Sequence, residues 1–135
     1  GYKKALLDAN LCFDKSIVRE GNFLEDSGYL LTHELLKENI TAIFCANDVM
    51  AISAIKAVKE KGLNVPDDIS VIGFDNIAIG NYIMPALTTV DAPLELIAEA
   101  CVDSLKYFCK NKHFKQKEIR IKTNLILRQS TKVIS

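Results

Sequence analysis

Residues 41–89 read TAIFCANDVMAISAIKAVKEKGLNVPDDISVIGFDNIAIGNYIMPALTT. Ala42–Ala46 is short and almost wholly apolar, the pattern of a central parallel strand covered on both faces. Asp48 is expected to be the N-cap of the helix that follows, because a carboxylate there can accept from the unpaired amides two or three residues on. Ala51, Ala54, Ile55 and Val58 form one apolar stripe, with Lys56, Lys59, Glu60 and Lys61 leaning outward. Lys59 and Lys61 suit the negative end of the helix dipole, and Gly62 supplies a left-handed stop. Pro66 forbids helix re-entry, and Ser70–Phe74 (SVIGF) is a second buried strand ending in an acidic tip at Asp75. Two parallel strands joined by a helix aim their C-terminal ends at one place, and open α/β sheets bind small molecules there.

Outward from this unit, Tyr2, Ala5, Leu6 and Ala9 keep helical spacing, with Asn10 as the stop. Ser16–Arg19 is a short strand candidate, Glu20-Gly21-Asn22 a turn, and Glu25 or Asp26 the start of a helix carrying Leu31, Leu35 and Leu36. On the C-terminal side, residues 87–90 (LTTV) follow Pro85 as a short extended piece, and residues 94–109 make a long amphipathic helix. Its apolar side holds Leu94, Ile97, Ala98, Cys101, Leu105 and Phe108. A last strand is expected over Glu118–Arg128. The alternation of helices and strands predicts an α/β, Rossmann-like fold with a mostly parallel sheet.

A chain of 135 residues with 49% apolar composition fits one domain with a real core. Seventeen basic residues balance seventeen acidic ones, so no basic face for a phosphate backbone is indicated. The basic-leaning segment Lys110–Lys122 is broken by Asn111, His113, Phe114, Gln116 and Glu118 and reads as a solvated linker. The cysteines at 12, 45, 101 and 109 form no CxxC pair, and three lie in apolar runs. Buried free thiols in a reducing cytoplasm are expected, with neither a disulfide framework nor a metal site. His33 and His113 have no companion ligands at metal spacing. No signal peptide or membrane-length apolar run is present. The motifs of a nucleophile elbow, a P-loop and a dinucleotide fingerprint are missing, so neither an enzyme nor a cofactor is expected. The acidic pairs Glu25/Asp26 and Asp67/Asp68 stand where helices or turns begin, and capping accounts for them.

Binding has better candidates. Asn47 follows the first strand of the unit and Asp75 the second. An amide that donates and accepts, beside a carboxylate that accepts twice, suits a ligand rich in hydroxyls or amines. Phe23 offers a flat apolar face for a sugar ring or a base. Spacing alone leaves each open: Asn47 also fits a turn, Asp75 a helix cap, and Phe23 the core.

Taken in order, GYKKAL at 1–6, EGNFLEDSGY at 20–29, TAIFCANDVMAISAIKAV at 41–58, GLNVPDDISVIGFDN at 62–76, PALTTV at 85–90 and LILRQS at 125–130 resemble the effector-binding core of the LacI/GalR family of bacterial transcription regulators. The resemblance implies a three-layer α/β/α lobe of the type I periplasmic-binding-protein kind, residues 1–135 being the C-terminal lobe of a two-lobed clamp. By position it assigns Phe23 to stacking on the effector, Asn47 to a polar contact and Asp75 to the hydrogen-bonding acid. Tyr82 and Ile83 fall where family members meet in a homodimer, beside residues of the 48–60 helix.

The implied effector is a sugar or a purine, and the implied parent is a cytoplasmic repressor, with no membrane contact. DNA would be reached only through a helix-turn-helix outside this chain, so this piece is expected neither to bind DNA nor to close over a ligand by itself. The alternatives are a solute-binding protein of a sugar transporter, disfavoured by the four cysteines and the LRQS ending, and a small Rossmann-like enzyme. In the family the 94–109 helix packs in the other lobe. Here its stripe must fold onto this domain, pair with another copy or stay exposed, and self-association is expected.

Overall fold

The computed structural model describes residues 1–110 and 118–133. Helix α1 (Tyr2–Asp8) leads through a 3-10 turn at Lys15–Ile17 to helix α2 (Glu25–Leu35) and strand β1 (Ala42–Phe44). Helix α3 (Asp48–Glu60), strand β2 (Ser70–Phe74), a 3-10 turn at Ala78–Asn81 and strand β3 (Thr88–Asp91) follow. Helix α4 (Leu94–Lys110) and strand β4 (Asn124–Ile126) complete the fold. The sheet has four strands in the order β1-β2-β3-β4. β1, β2 and β3 are parallel, with Ile43 beside Val71 and Ile72 beside Thr88, and β4 runs antiparallel to β3. This is the mostly parallel α/β architecture that the element order implies.

The core lies where α3 meets the sheet. Ala51, Ala54 and Val58 are fully buried against Val71 and Leu87, with Ile43 and Ile55 nearly so. The small alanines let α3 approach β2 closely, and α2 packs against α3 with Leu35 and Leu36 touching the same core. α3 ends as its sequence predicts. Gly62 has φ +77°, its amide donates to Lys59 O at 2.9 Å, and the Leu63 amide donates to Val58 O at 3.2 Å. These paired bonds satisfy carbonyls that the last helical turn leaves open.

Several local expectations are corrected. Ser16–Arg19 is not a strand: Asp14 accepts from the Ser16 amide at 2.8 Å and bends the chain into a 3-10 turn, and only Val18 after it is extended. Among the described residues no strand lies beside that segment, so a ladder has nothing to form on. The Ala42–Ala46 run shortens to Ala42–Phe44 and lies at the edge of the sheet, with Phe44 57% exposed, rather than in its covered centre. In β2 only Val71 and Gly73 are buried, and Ser70, Ile72 and Phe74 on the other face are partly open. The final strand shrinks to Asn124–Ile126, which pair with Asp91, Val90 and Thr89 of β3. Cys45 alone of the four free cysteines is buried; Cys12, Cys101 and Cys109 are exposed. The expected linker at 110–122 lies mostly outside the described residues, and Lys110 is the last residue of α4.

α4 has the predicted amphipathic pattern but buries none of its residues. Leu94, Leu96 and Leu105 are 64%, 54% and 62% exposed. Ile97, Cys101 and Leu105 form one wall of an open groove of about 640 Å³, with Ile119 and Ile121 on the other. The helix therefore has not folded onto the lobe. At micromolar concentrations and above, light scattering on this chain is expected to show a mass that rises with concentration. A strict monomer that binds no apolar-surface dye contradicts that expectation.

Candidate effector-binding site

Phe23 and Asn47 are joined at the C-terminal end of β1, Asp75 follows the end of β2 near Asp48, and the two polar tips are built differently. Asn47 is itself the N-cap of α3: its Oδ1 accepts from the Met50 amide at 2.9 Å. Its Nδ2 donates to Phe23 O at 2.9 Å, which fastens the entry of α2 to the start of α3. Phe23 is held at φ +67° and is 62% exposed, so its ring stands in solvent and does not pack in the core. An exposed aromatic at a left-handed position is costly on both counts, and a backbone outlier of this kind points towards function.

Asp48 is not the cap expected of it. It is fully buried, its Oδ2 accepts from the Ile77 amide at 2.8 Å, and its Oδ1 accepts from Thr89 Oγ1 at 2.5 Å. The carboxylate thus spans from α3 past β2 to β3. It passes Gly73, where an added Cβ would lie 2.1 Å from Oδ1.

Asp75 and Asn76 follow with φ +110° and +58°, two successive left-handed residues without a glycine. Such residues cost about 1–3 kcal/mol each and persist only when their surroundings hold them. Here the Asp75 amide donates to Val90 O at 2.9 Å. Asn76 Nδ2 donates to Asp91 Oδ1 at 2.9 Å, and Asn76 Oδ1 accepts from Arg128 Nη2 at 2.7 Å. Arg128 Nη1 donates to Leu87 O at 2.7 Å, so one guanidinium joins the turn to the lead-in of β3. Sequence reasoning does not single out Thr89 or Arg128, and it gives Asp48 only a capping role. A lone arginine inside the apolar LILRQS run was the available signal, since a charge there needs partners.

Burial first, and then the nearby Asp48 carboxylate, push the Asp75 carboxyl above the usual aspartate value. The folded state therefore holds the Asp75 proton more tightly than the unfolded chain does. The stability that this confers is present at pH below the ordinary carboxylate range and is lost as pH rises through the raised folded value. At pH 7 an ionised Asp75 weakens the fold, so Asp75→Asn is expected to raise the unfolding temperature more at pH 7 than at pH 3. Equal shifts at both pH values in thermal scans contradict this. Burial also raises the Cys45 thiol to about 12, with Asp48 adding to the effect, so it is neutral at pH 7.

Two hollows flank these residues. One, of about 440 Å³, runs along the free edge of β1 between Val18, Phe23, Ile43 and Met50; neither Asn47 nor Asp75 lines it. The other, about 370 Å³, lies between Ile52, Ile55, Lys59, Ile83 and Met84, with the Lys59 ammonium on the Met84 carbonyl. Tyr82 beside it is 81% exposed.

An α/β fold with polar strand tips of this kind defines a periplasmic-binding-protein-like domain. The model of the periplasmic binding protein-like domain family matches residues 1–131. The HTH-type transcriptional repressor PurR of Photorhabdus laumondii subsp. laumondii is 42% identical over 132 residues, covering 96% of this chain and 39% of that protein. The transcriptional regulator CelR in its cellobiose complex superposes with a TM-score of 0.89 at 30% identity, covering 96% of this chain and 40% of that one. A LacI family regulator from Enterococcus faecium with bound ribose gives a TM-score of 0.83 at 31% identity, covering 96% and 48%. The chain belongs to the periplasmic binding protein-like domain family, in the form that serves LacI/GalR regulators as their effector-binding domain. It spans about two fifths of the length of the curated relatives it matches.

Proposed function

We propose that this chain is the C-terminal half of an effector clamp in a transcriptional repressor, and that Phe23, Asn47 and Asp75 face the effector. The observation that carries this is the pairing of an exposed Phe23 with an Asp75 carboxyl on a strained, clamped turn, the two joined through the start of α3. The ring stacks on an apolar ligand face, Asp75 accepts from ligand hydroxyl or amine groups, and Asn47 holds Phe23 in place and contributes its remaining donor. The ligand class is a sugar, with a purine base as the second chemistry that fits a flat ring and an acceptor. Sugars are favoured because cellobiose and ribose occupy two of the similar regulators.

The repressor reading is favoured over a transporter's solute-binding protein because the similar proteins are regulators. It also makes the protein a non-enzyme working in the cytoplasm and reaching DNA through a helix-turn-helix elsewhere in the longer protein. Two copies meet through Tyr82, Ile83 and the adjoining face of α3, whose exposed tyrosine and apolar hollow suit a partner surface. Effector binding prefers one arrangement of the two lobes, and that preference is what reaches the DNA-binding heads.

A thermal-shift screen of sugars, sugar phosphates and nucleobases on the longer protein tests this reading. At least one compound is expected to raise the unfolding temperature in a concentration-dependent way. A flat response across all three classes overturns it.

A further inference from the structure

We propose that Asp48 is a positioning residue of the effector site: its buried carboxylate fixes the 75–77 turn that carries Asp75. This rests on the reading of Asp75 as an effector-facing acid. Capping does not explain Asp48, because Asn47 holds that place. Nor does an ion pair, since none is formed by Asp48 among the described residues. What the carboxylate does is accept one donor from each of two other elements, Ile77 N at 2.8 Å and Thr89 Oγ1 at 2.5 Å, while fully buried. The start of α3 is a favourable seat for that charge, and β2 keeps Gly73 beside it, the residue that leaves room for Oδ1.

The turn so held is the least relaxed backbone in this region, with positive φ at both Asp75 and Asn76. Its outer side is fixed by Asn76 bonding to Asp91 and Arg128. Its inner side is fixed by Asp48 through the Ile77 amide. With that amide released, the turn is free to relax, and the Asp75 carboxyl leaves the place set for it. Charged groups around Asp75 are Asp48 from α3, and Asp91 and Arg128 acting through Asn76. Of these Asp48 is the one that acts directly on its proton.

Asp48→Asn and Asp48→Ala separate positioning from plain structural support. The asparagine keeps the shape, with Oδ1 accepting from Ile77 N; it removes the charge and reverses the bond to Thr89, Nδ2 now donating to Oγ1. In this chain, hydrogen exchange at the Ile77 amide is expected to speed up at least about ten-fold more than at Val71 in Asp48→Ala, and to stay near wild type in Asp48→Asn. A carboxyl NMR titration is expected to show Asp75 losing its proton at lower pH in Asp48→Asn. In the longer protein, effector affinity is expected to fall more than about ten-fold in Asp48→Ala, with the acid limb of binding moved to lower pH in Asp48→Asn.

Equal acceleration at Ile77 and Val71 in Asp48→Ala overturns the proposal. Should Asp48→Ala not fold, the same comparison of Ile77 and Val71 exchange in Asp48→Ser, whose side chain is too short to hold both partners, decides. Failure to find any effector would sink the functional reading while leaving the exchange results to judge Asp48.

Discussion

Gly73→Ala is expected to destabilise the chain by about 3–5 kcal/mol, a large part of a marginal domain's whole stability. The new Cβ would stand 2.1 Å from Asp48 Oδ1, 3.1 Å from Leu87 Cδ2 and 3.2 Å from Ala51 Cβ. Those neighbours are a buried carboxylate and two core side chains, none with free space to retreat into. Moving Asp48 aside breaks its bonds to Ile77 and Thr89 and strands a charge in the interior, which costs more than the steric contact alone. Urea unfolding monitored by circular dichroism measures the loss. A change below about 1 kcal/mol would show that the carboxylate is not pinned against β2.

The second large effect is at Gly28, where α2 crosses α3. A Cβ there would meet Met50 O at 2.5 Å, Ser53 Oγ at 2.5 Å and Met50 Cα at 2.6 Å. Two of the three are backbone atoms of α3, so the helices must separate, and overpacking of this kind costs about 2–4 kcal/mol. Phe23 lies just before α2 and is tied to the start of α3 by the Asn47 bond, so separation also displaces the ring. Gly28→Ala is therefore expected to weaken effector binding in the longer protein more than about ten-fold at a temperature where the variant is still folded. An unchanged unfolding midpoint in urea contradicts the close packing of α2 on α3.

The strand–helix–strand unit was legible because its signals are local: an apolar run, a stripe at helical spacing, Gly62 as a stop and Pro66 as a barrier. What depended on distant partners was not. Asn47 and Asp48 are both good caps, and only the fold reveals that the Asp48 carboxylate is drawn across the sheet to Thr89, 41 residues away. Ala42–Phe44 has the composition of a covered strand, yet its place at the edge is decided by pairing. The cysteines of α4 sit in apolar runs and are exposed, because that helix turns its apolar face to an open groove and buries none of its residues. Ser16–Arg19 carries strand-forming residues, but Asp14 binds the Ser16 amide first.

The site was half legible. Asp75 and Asn47 follow from the rule that parallel strands bind at their C-terminal ends, and Phe23 becomes meaningful once its ring is seen in solvent. The clamp of Asp48, Thr89, Asn76, Asp91 and Arg128 that shapes the Asp75 turn draws on four separate parts of the chain. No local pattern announces such a clamp, since each member alone reads as an ordinary polar residue.

Isothermal titration of the strongest-binding sugar or base into the longer protein, beside its Asp75→Ala variant, puts the proposed half-site to its plainest trial. Losing a hydrogen bond to a charged acceptor is worth about 1.5–3 kcal/mol, so the variant is expected to bind about 10–100-fold more weakly while unfolding no earlier than wild type. Equal affinity in the two proteins would place the effector elsewhere.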